Sequence, residues 1–202
     1  MDIEAEGKTV RDLSFSRCKF VDNSGVGLLA ESGDSADARF TDCQFVGTTT
    51  WSAWPRKPGF IFTGCTFAGA VVHPFPAKNP DTAARFNNCR FTDDAALSPT
   101  GKIYEGGPKG GPIVNMGASD NVLFDECTFA LTNRAVLPWR WNAVYRNCRM
   151  SQTSTVTAMT KGRFLGTTTI HGPVDLYGSM VIGRLVVNGK VIPPGAKGIK
   201  PW

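Results

Sequence analysis

The sequence predicts an all-β solenoid, a coil of short parallel strands stacked level upon level. Three observations carry that prediction. A block of one aromatic residue, two variable positions, a cysteine, one more position and a second large apolar residue occurs six times: Phe15/Cys18/Phe20, Phe40/Cys43/Phe45, Phe62/Cys65/Phe67, Phe86/Cys89/Phe91, Phe124/Cys127/Phe129 and Tyr145/Cys148/Met150. Successive cysteines stand 25, 22, 24, 38 and 21 residues apart, the period of one coil broken once by an insertion. Glycine (22) and proline (13) are frequent, which favours tight turns over long helices.

Each block reads in register from its cysteine. The position five before it holds Leu13, Ala38, Phe60, Ala84, Val122 or Ala143, all apolar. Three before it is always aromatic, and two after it is always Phe or Met. Alternation with a period of two describes strands with one buried face. The step of three from aromatic to cysteine breaks the alternation once and predicts a sharp corner between two short strands. Asp42, Gly64, Asn88 and Asn147 directly precede their cysteines, and these types tolerate the left-handed backbone such a corner needs.

Stacked levels lie about 4.8 Å apart, so like residues fall on like residues: Phe on Phe, and a small thiol in the tight corner. That spacing is within reach of a disulfide, but inward, parallel side chains favour free thiols. No C-x-x-C pair exists, so the spacing excludes a zinc motif; no metal or cofactor is expected.

FNNCRF (86 to 91) and YRNCRM (145 to 150) resemble the rungs of right-handed parallel β-helices of the pectate-lyase-like superfamily. The resemblance spans roughly residues 11 to 160 and rests on rung pattern. It implies a right-handed, single-stranded parallel β-helix of about seven to eight rungs; residues 1–160 carry the regular rungs, and the spacing places a long insertion near 95–117. Residues 161–202 are expected to form divergent rungs or a cap, with an irregular tail. The superfamily is rich in enzymes that cut or epimerise acidic polysaccharides, but none of its catalytic signatures is present to carry over. A leucine-rich repeat is the rival fold, since residues 15 to 23 fit its pattern. Thr48, Ala70, Asp94, Thr132 and Thr153 then stand where its asparagine should be, and no amphipathic helix separates the repeats.

The chain of 202 residues carries a net charge of +5 with a pI near 9.0, compatible with an acidic partner. No apolar run reaches membrane-spanning length, so no membrane partner is expected. MDIEAEGKTV is not a signal peptide, and the first repeat follows it almost at once. The expectation is a longer parent protein with an upstream domain, at an extracellular or cell-surface location.

Function in solenoids sits in the segments between repeats. Four neighbouring segments carry aromatic and basic residues: Trp51, Trp54, Arg56 and Lys57; His73, Phe75 and Lys78; Lys102, Tyr104 and Lys109; Trp139, Arg140 and Trp141. Rings can pack on the apolar faces of sugars while cations pair with carboxylates or sulfates. The candidate substrate-binding set is therefore Trp54, Arg56, Lys57, His73, Lys78, Tyr104, Trp139, Arg140 and Trp141, with an anionic polysaccharide as ligand. Against it, Trp51 stands eight after its cysteine, a core position elsewhere, and Trp139 and Trp141 share parity with the inward Ala143 and Tyr145.

For catalysis the candidates are Asp93 and Asp94, a carboxylate pair opening the longest insertion; the competing reading is turn-forming aspartates. A lyase or glycoside hydrolase is the reaction class they would serve. GGPKGGP at 106 to 112 suits either a flap or a surface loop. A different class of function is a spike, adhesin or assembly segment making protein contacts, and a homo-oligomer is compatible with it. Nucleic acid is disfavoured, because the basic residues are dispersed and no recognition motif occurs.

Overall fold

A computed structural model describes residues 1–3, 9–31, 34–72, 74–75, 77–104, 112–117, 120–132, 136–196 and 199. The chain coils through three faces. Face one stacks Ser14–Ser16, Arg39–Thr41, Ile61–Thr63, Arg85–Asn87, Leu123–Asp125, Val136–Arg146 and Ala158–Leu165, all parallel, and Met180–Val181 adds the next level. Face two stacks Lys19–Val21, Gln44–Val46, Thr66–Ala68, Arg90–Thr92, Thr128–Leu131, Arg149–Gln152, Thr167–His171 and Arg184–Val187. Face three is built of shorter pieces: Leu29–Ala30 beside Trp54–Pro55, Val71–Val72 beside Val114–Asn115, and the starts of the two long strands. This is a parallel β-helix, and no helix among the described residues is long and apolar enough to cross a membrane.

The repeat explains the core. Phe15, Phe40, Phe62, Phe86, Phe124, Tyr145 and Phe164 form one ladder, with neighbouring ring centroids 4.9 to 5.3 Å apart. Phe20, Phe45, Phe67, Phe91 and Phe129 form the second, at 4.9 to 5.0 Å. The ladders meet edge to face, as Phe86 does with Phe91 at 5.3 Å, an arrangement the ring quadrupole favours. From Phe40 to Phe164 every ring of the two ladders is fully buried.

All six cysteines are free thiols. Each thiol from Cys43 to Cys148 faces the carbonyl of the aromatic residue one level below, for example Cys127 Sγ to Phe86 O at 3.2 Å and Cys148 Sγ to Phe124 O at 3.3 Å. A thiol thus fills the corner and gives its weak donor an acceptor.

Beyond residue 160 the ladders continue with other side chains. The register Arg149 to Thr169 puts Thr168 on Cys148, and Leu185 follows on Thr168. Ile170 and Val187 extend the second aromatic ladder beyond Met150, and Val181 extends the first beyond Phe164. Here the corner is one residue longer, four steps from Phe164 to Thr168. A turn at Asn188 and Gly189, both with positive φ, then folds Lys190–Ile192 back antiparallel onto Arg184–Val187 and ends face two.

The corner residues Asp42, Gly64, Asn88 and Asn147 have φ of 53°, 64°, 50° and 55°. Arg17 and Glu126 share this conformation at 54° each, imposed by the ladders on either side rather than by their own preference. Glu126→Asn is expected to raise stability by about 1 kcal/mol, read as a higher urea midpoint. A lower midpoint would show that the glutamate side chain holds more than its corner.

Candidate functional site

The segments that follow each Cys-x-Phe block build face three and its two edges. Inward positions there are small or apolar: Leu28, Ala30, Ala53, Val71, Val114 and Leu137 are buried. The alternate positions form a second column, exposed or half-buried at Leu29, Trp54, Asn115 and Trp139 but covered at Val72, which is buried. Leu29 pairs with Trp54, the bridge from Ala53 to Val71 sets Val72 beside Trp54, and Val72 pairs with Asn115. The bridge from Pro112 to Val136 then brings Asn115 level with Trp139, which pairs with Lys161. Trp54 and Trp139 therefore share one column, three levels or about 14 Å apart.

Trp139 is 36% exposed, so its side chain points out, contrary to simple parity with Ala143 and Tyr145. The strand Val136–Arg146 shifts register on both sides of Trp139 where it bends from face three to face one, and that resets the alternation. Lys161 Nζ lies 5.9 Å from the Trp139 ring centroid, a cation–π contact. Trp139, Arg140, Lys161, Met159, Val136 and Asn115 line much of a cavity of about 410 Å³.

Trp54 and Trp51 are half-buried and meet edge to face at 6.4 Å. Tyr104 returns from the long insertion to this edge: its amide donates to Gly47 O at 2.8 Å, its carbonyl accepts from Ala70 N, and its ring meets Trp51 at 5.4 Å. Arg56, Lys57, Lys78 and Arg140 lie along the opposite edge, where face three turns into face one. Arg56 pairs with Glu31 at 3.2 Å and Arg140 approaches Asp120 at 4.0 Å. His73, Lys109 and most of the GGPKGGP stretch lie outside the described residues, as does the side chain of Trp141.

The two aspartates sit elsewhere, where face two turns toward face three. Asp93 is buried, and its Oδ1 accepts from the Thr132 amide at 2.7 Å and the Thr132 hydroxyl at 2.9 Å. Asp94 caps the short turn Ala95–Leu97 by accepting from Ala96 N at 3.0 Å. Asp93 stands four after its cysteine and Thr132 five after the next, the same register as Asp22 and Thr48, which meet at 3.4 Å. Such a carboxylate staples one level to the next.

Lys161, Asn115 and Met159 escaped the sequence reading. Lys161 stands 22 residues after Trp139, one coil further on, so counting forward from the tryptophan would have found it. Comparison of the chain with family models, with curated proteins and with solved structures finds no match.

Proposed function

We propose that face three binds an anionic polysaccharide laid along the solenoid axis. The observation that carries this reading is the column holding Trp54 and Trp139, with Lys161 over the Trp139 ring beside an open cavity. Rings would pack on sugar faces, and Lys161, Arg140, Arg56, Lys57 and Lys78 would pair with the acidic groups. Arg56 and Arg140 already face carboxylates, but such exposed pairs are worth only about 0–1 kcal/mol and yield readily to a polyanion.

The rung pattern supports kinship with the pectate-lyase-like superfamily, and with it an extracellular or cell-surface setting. Depolymerisation is a further step of the reading, with Asp93 and Asp94 as its carboxylates; it requires the polymer to reach the edge where face two turns toward face three, Asp93 to release Thr132 and Asp94 to release its cap on Ala96. A panel of acidic and neutral polysaccharides, followed for binding by affinity electrophoresis and for chain length by size exclusion, tests both steps. Trp139→Ala should weaken binding of the recognised acidic polymer at least tenfold, and Trp54→Ala less. Unchanged affinity in both variants would remove face three as the binding surface. Shortening of one polymer, abolished by Asp93→Asn, would establish the enzyme; intact polymer length throughout would leave face three as a binding surface alone.

A further inference from the structure

Face one has an outer surface of a different kind. Its outward column runs Ser14, Arg39, Ile61, Arg85, Leu123, Val144, Arg163 and Met180. Beside it run Ser16, Thr41, Thr63, Asn87, Asp125, Arg146 and Leu165. The second column is polar over its lower levels, as a solvated sheet face should be. Higher up, Leu123, Val144 and Leu165 come together, and Met180 and Ile182 extend the apolar strip at 37% and 50% exposed. Water gains nothing from these side chains, and no packing inside the coil uses them.

Arginines frame the strip. Arg85, Arg146 and Arg163 surround a cavity of about 360 Å³ floored by Leu123, Val144 and Leu165. Arg146 is neutralised by a two-pronged pair with Asp125, at 2.8 and 2.6 Å, and Arg85 meets the exposed Asp81 at 2.9 Å. Arg163 differs. Its guanidinium is held by neutral oxygens, Asn121 Oδ1 at 2.8 Å and Asn142 O at 3.1 Å, and among the described residues no carboxylate lies within ion-pair distance. Its Nε is buried without a hydrogen-bond partner. Asn121 is itself fixed, donating to Ala77 O at 2.9 Å and Lys78 O at 3.1 Å. The result is an oriented cation of uncompensated charge beside an apolar floor, an arrangement suited to a carboxylate carried on an apolar body.

We propose that this patch of face one docks an extended acidic peptide segment of a partner protein, with a carboxylate on Arg163, a second near Arg85 and an apolar side chain between them on Leu123 and Val144. Arg85 and Arg163 are three levels apart, about 14 Å at the strand spacing. An extended peptide advances about 3.4 Å per residue, so the acids fall four residues apart with the apolar residue midway. A second copy of this chain meeting the patch with its own would set arginine against arginine, so charge favours the acidic partner.

The probe is a fluorescein-labelled peptide, Gly-Glu-Ser-Leu-Ser-Glu-Gly, titrated with the full chain and read by anisotropy. The control has the same composition with the two glutamates adjacent. The spaced peptide is expected to bind at least threefold more tightly than the control. Arg163→Gln and Val144→Glu should each weaken it at least fivefold, while Arg90→Gln, which removes an equal charge from face two, changes it less than twofold. Val144→Glu alters an outward side chain, so it remains informative if Arg163→Gln disturbs the Asn121 anchor. No saturable binding, equal binding of the two peptides, or an equal effect of Arg90→Gln overturns the proposal. Self-association of the chain abolished by Val144→Glu, without peptide binding, would reassign the patch to a second copy and also overturn it.

Discussion

Phe86→Ala is expected to destabilise the protein by about 4 kcal/mol, enough to leave a marginal fold partly open at ambient temperature. Phe86 is fully buried and sits between Phe62 at 4.9 Å and Phe124 at 5.2 Å, with Phe67 and Phe91 edge-on at 5.6 and 5.3 Å. Removing the ring forfeits its transfer from water and leaves a void that levels clamped at strand spacing cannot close. Phe15 begins the same ladder but is only half-buried and has a ring neighbour on one side of the stack, so Phe15→Ala should cost roughly half as much or less. Urea unfolding of the two variants makes the comparison directly. Equal costs would mean that the inner ladder does not carry the stability of the coil.

That ladder was also the most legible feature of the sequence. Aromatic and cysteine recur at nearly fixed intervals because every level meets the same inner geometry, so the period survives variation everywhere else. Asp42, Gly64, Asn88 and Asn147 announced the corner by type, whereas Arg17 and Glu126 gave no sign of it; their φ is set by neighbouring levels. After residue 160 the ladders persist as Thr168, Ile170, Val181, Leu185 and Val187, but one extra corner residue breaks the spacing that had marked them.

Face three was the least legible part. Trp54–Pro55 and Val71–Val72 are two residues long, too short for a period to show, and they hang between loops of unequal length. The sequence could therefore nominate Trp54 and Trp139 but not place them in one column, and a register shift inverted the parity of Trp139. Asp93 and Asp94 show the complementary limit. Adjacent carboxylates suggest acid and base, yet their roles depend on Thr132 and Ala96, and Thr132 becomes a neighbour only when the coil closes.

The thiol ladder is expected to make stability fall steeply in alkali. Burial pushes the Cys148 thiol up to about 12. Burial likewise raises Cys89, and for Cys65 the neighbouring Cys89 thiol is the first cause, with burial adding to it. These groups stay protonated in the fold while the unfolded chain releases their protons near pH 9. The unfolded state then binds fewer protons than the folded one, so stability is fully present below about pH 9 and is lost as pH rises through the folded values. Each such thiol removes about 1.4 kcal/mol for every pH unit above its free value, so Cys65, Cys89 and Cys148 together should remove about 4 kcal/mol between pH 8 and pH 10. Urea midpoints at the two pH values, in reductant, read the loss. Cys148→Ala isolates the cause: it should lower stability at pH 8 through lost packing, yet shrink the difference between the two pH values by the share of one thiol, with Cys43, which burial also raises, among those that remain. An alkaline loss that is the same size in Cys148→Ala would assign it to other groups, and a midpoint unchanged at pH 10 would mean that the corners admit hydroxide and water.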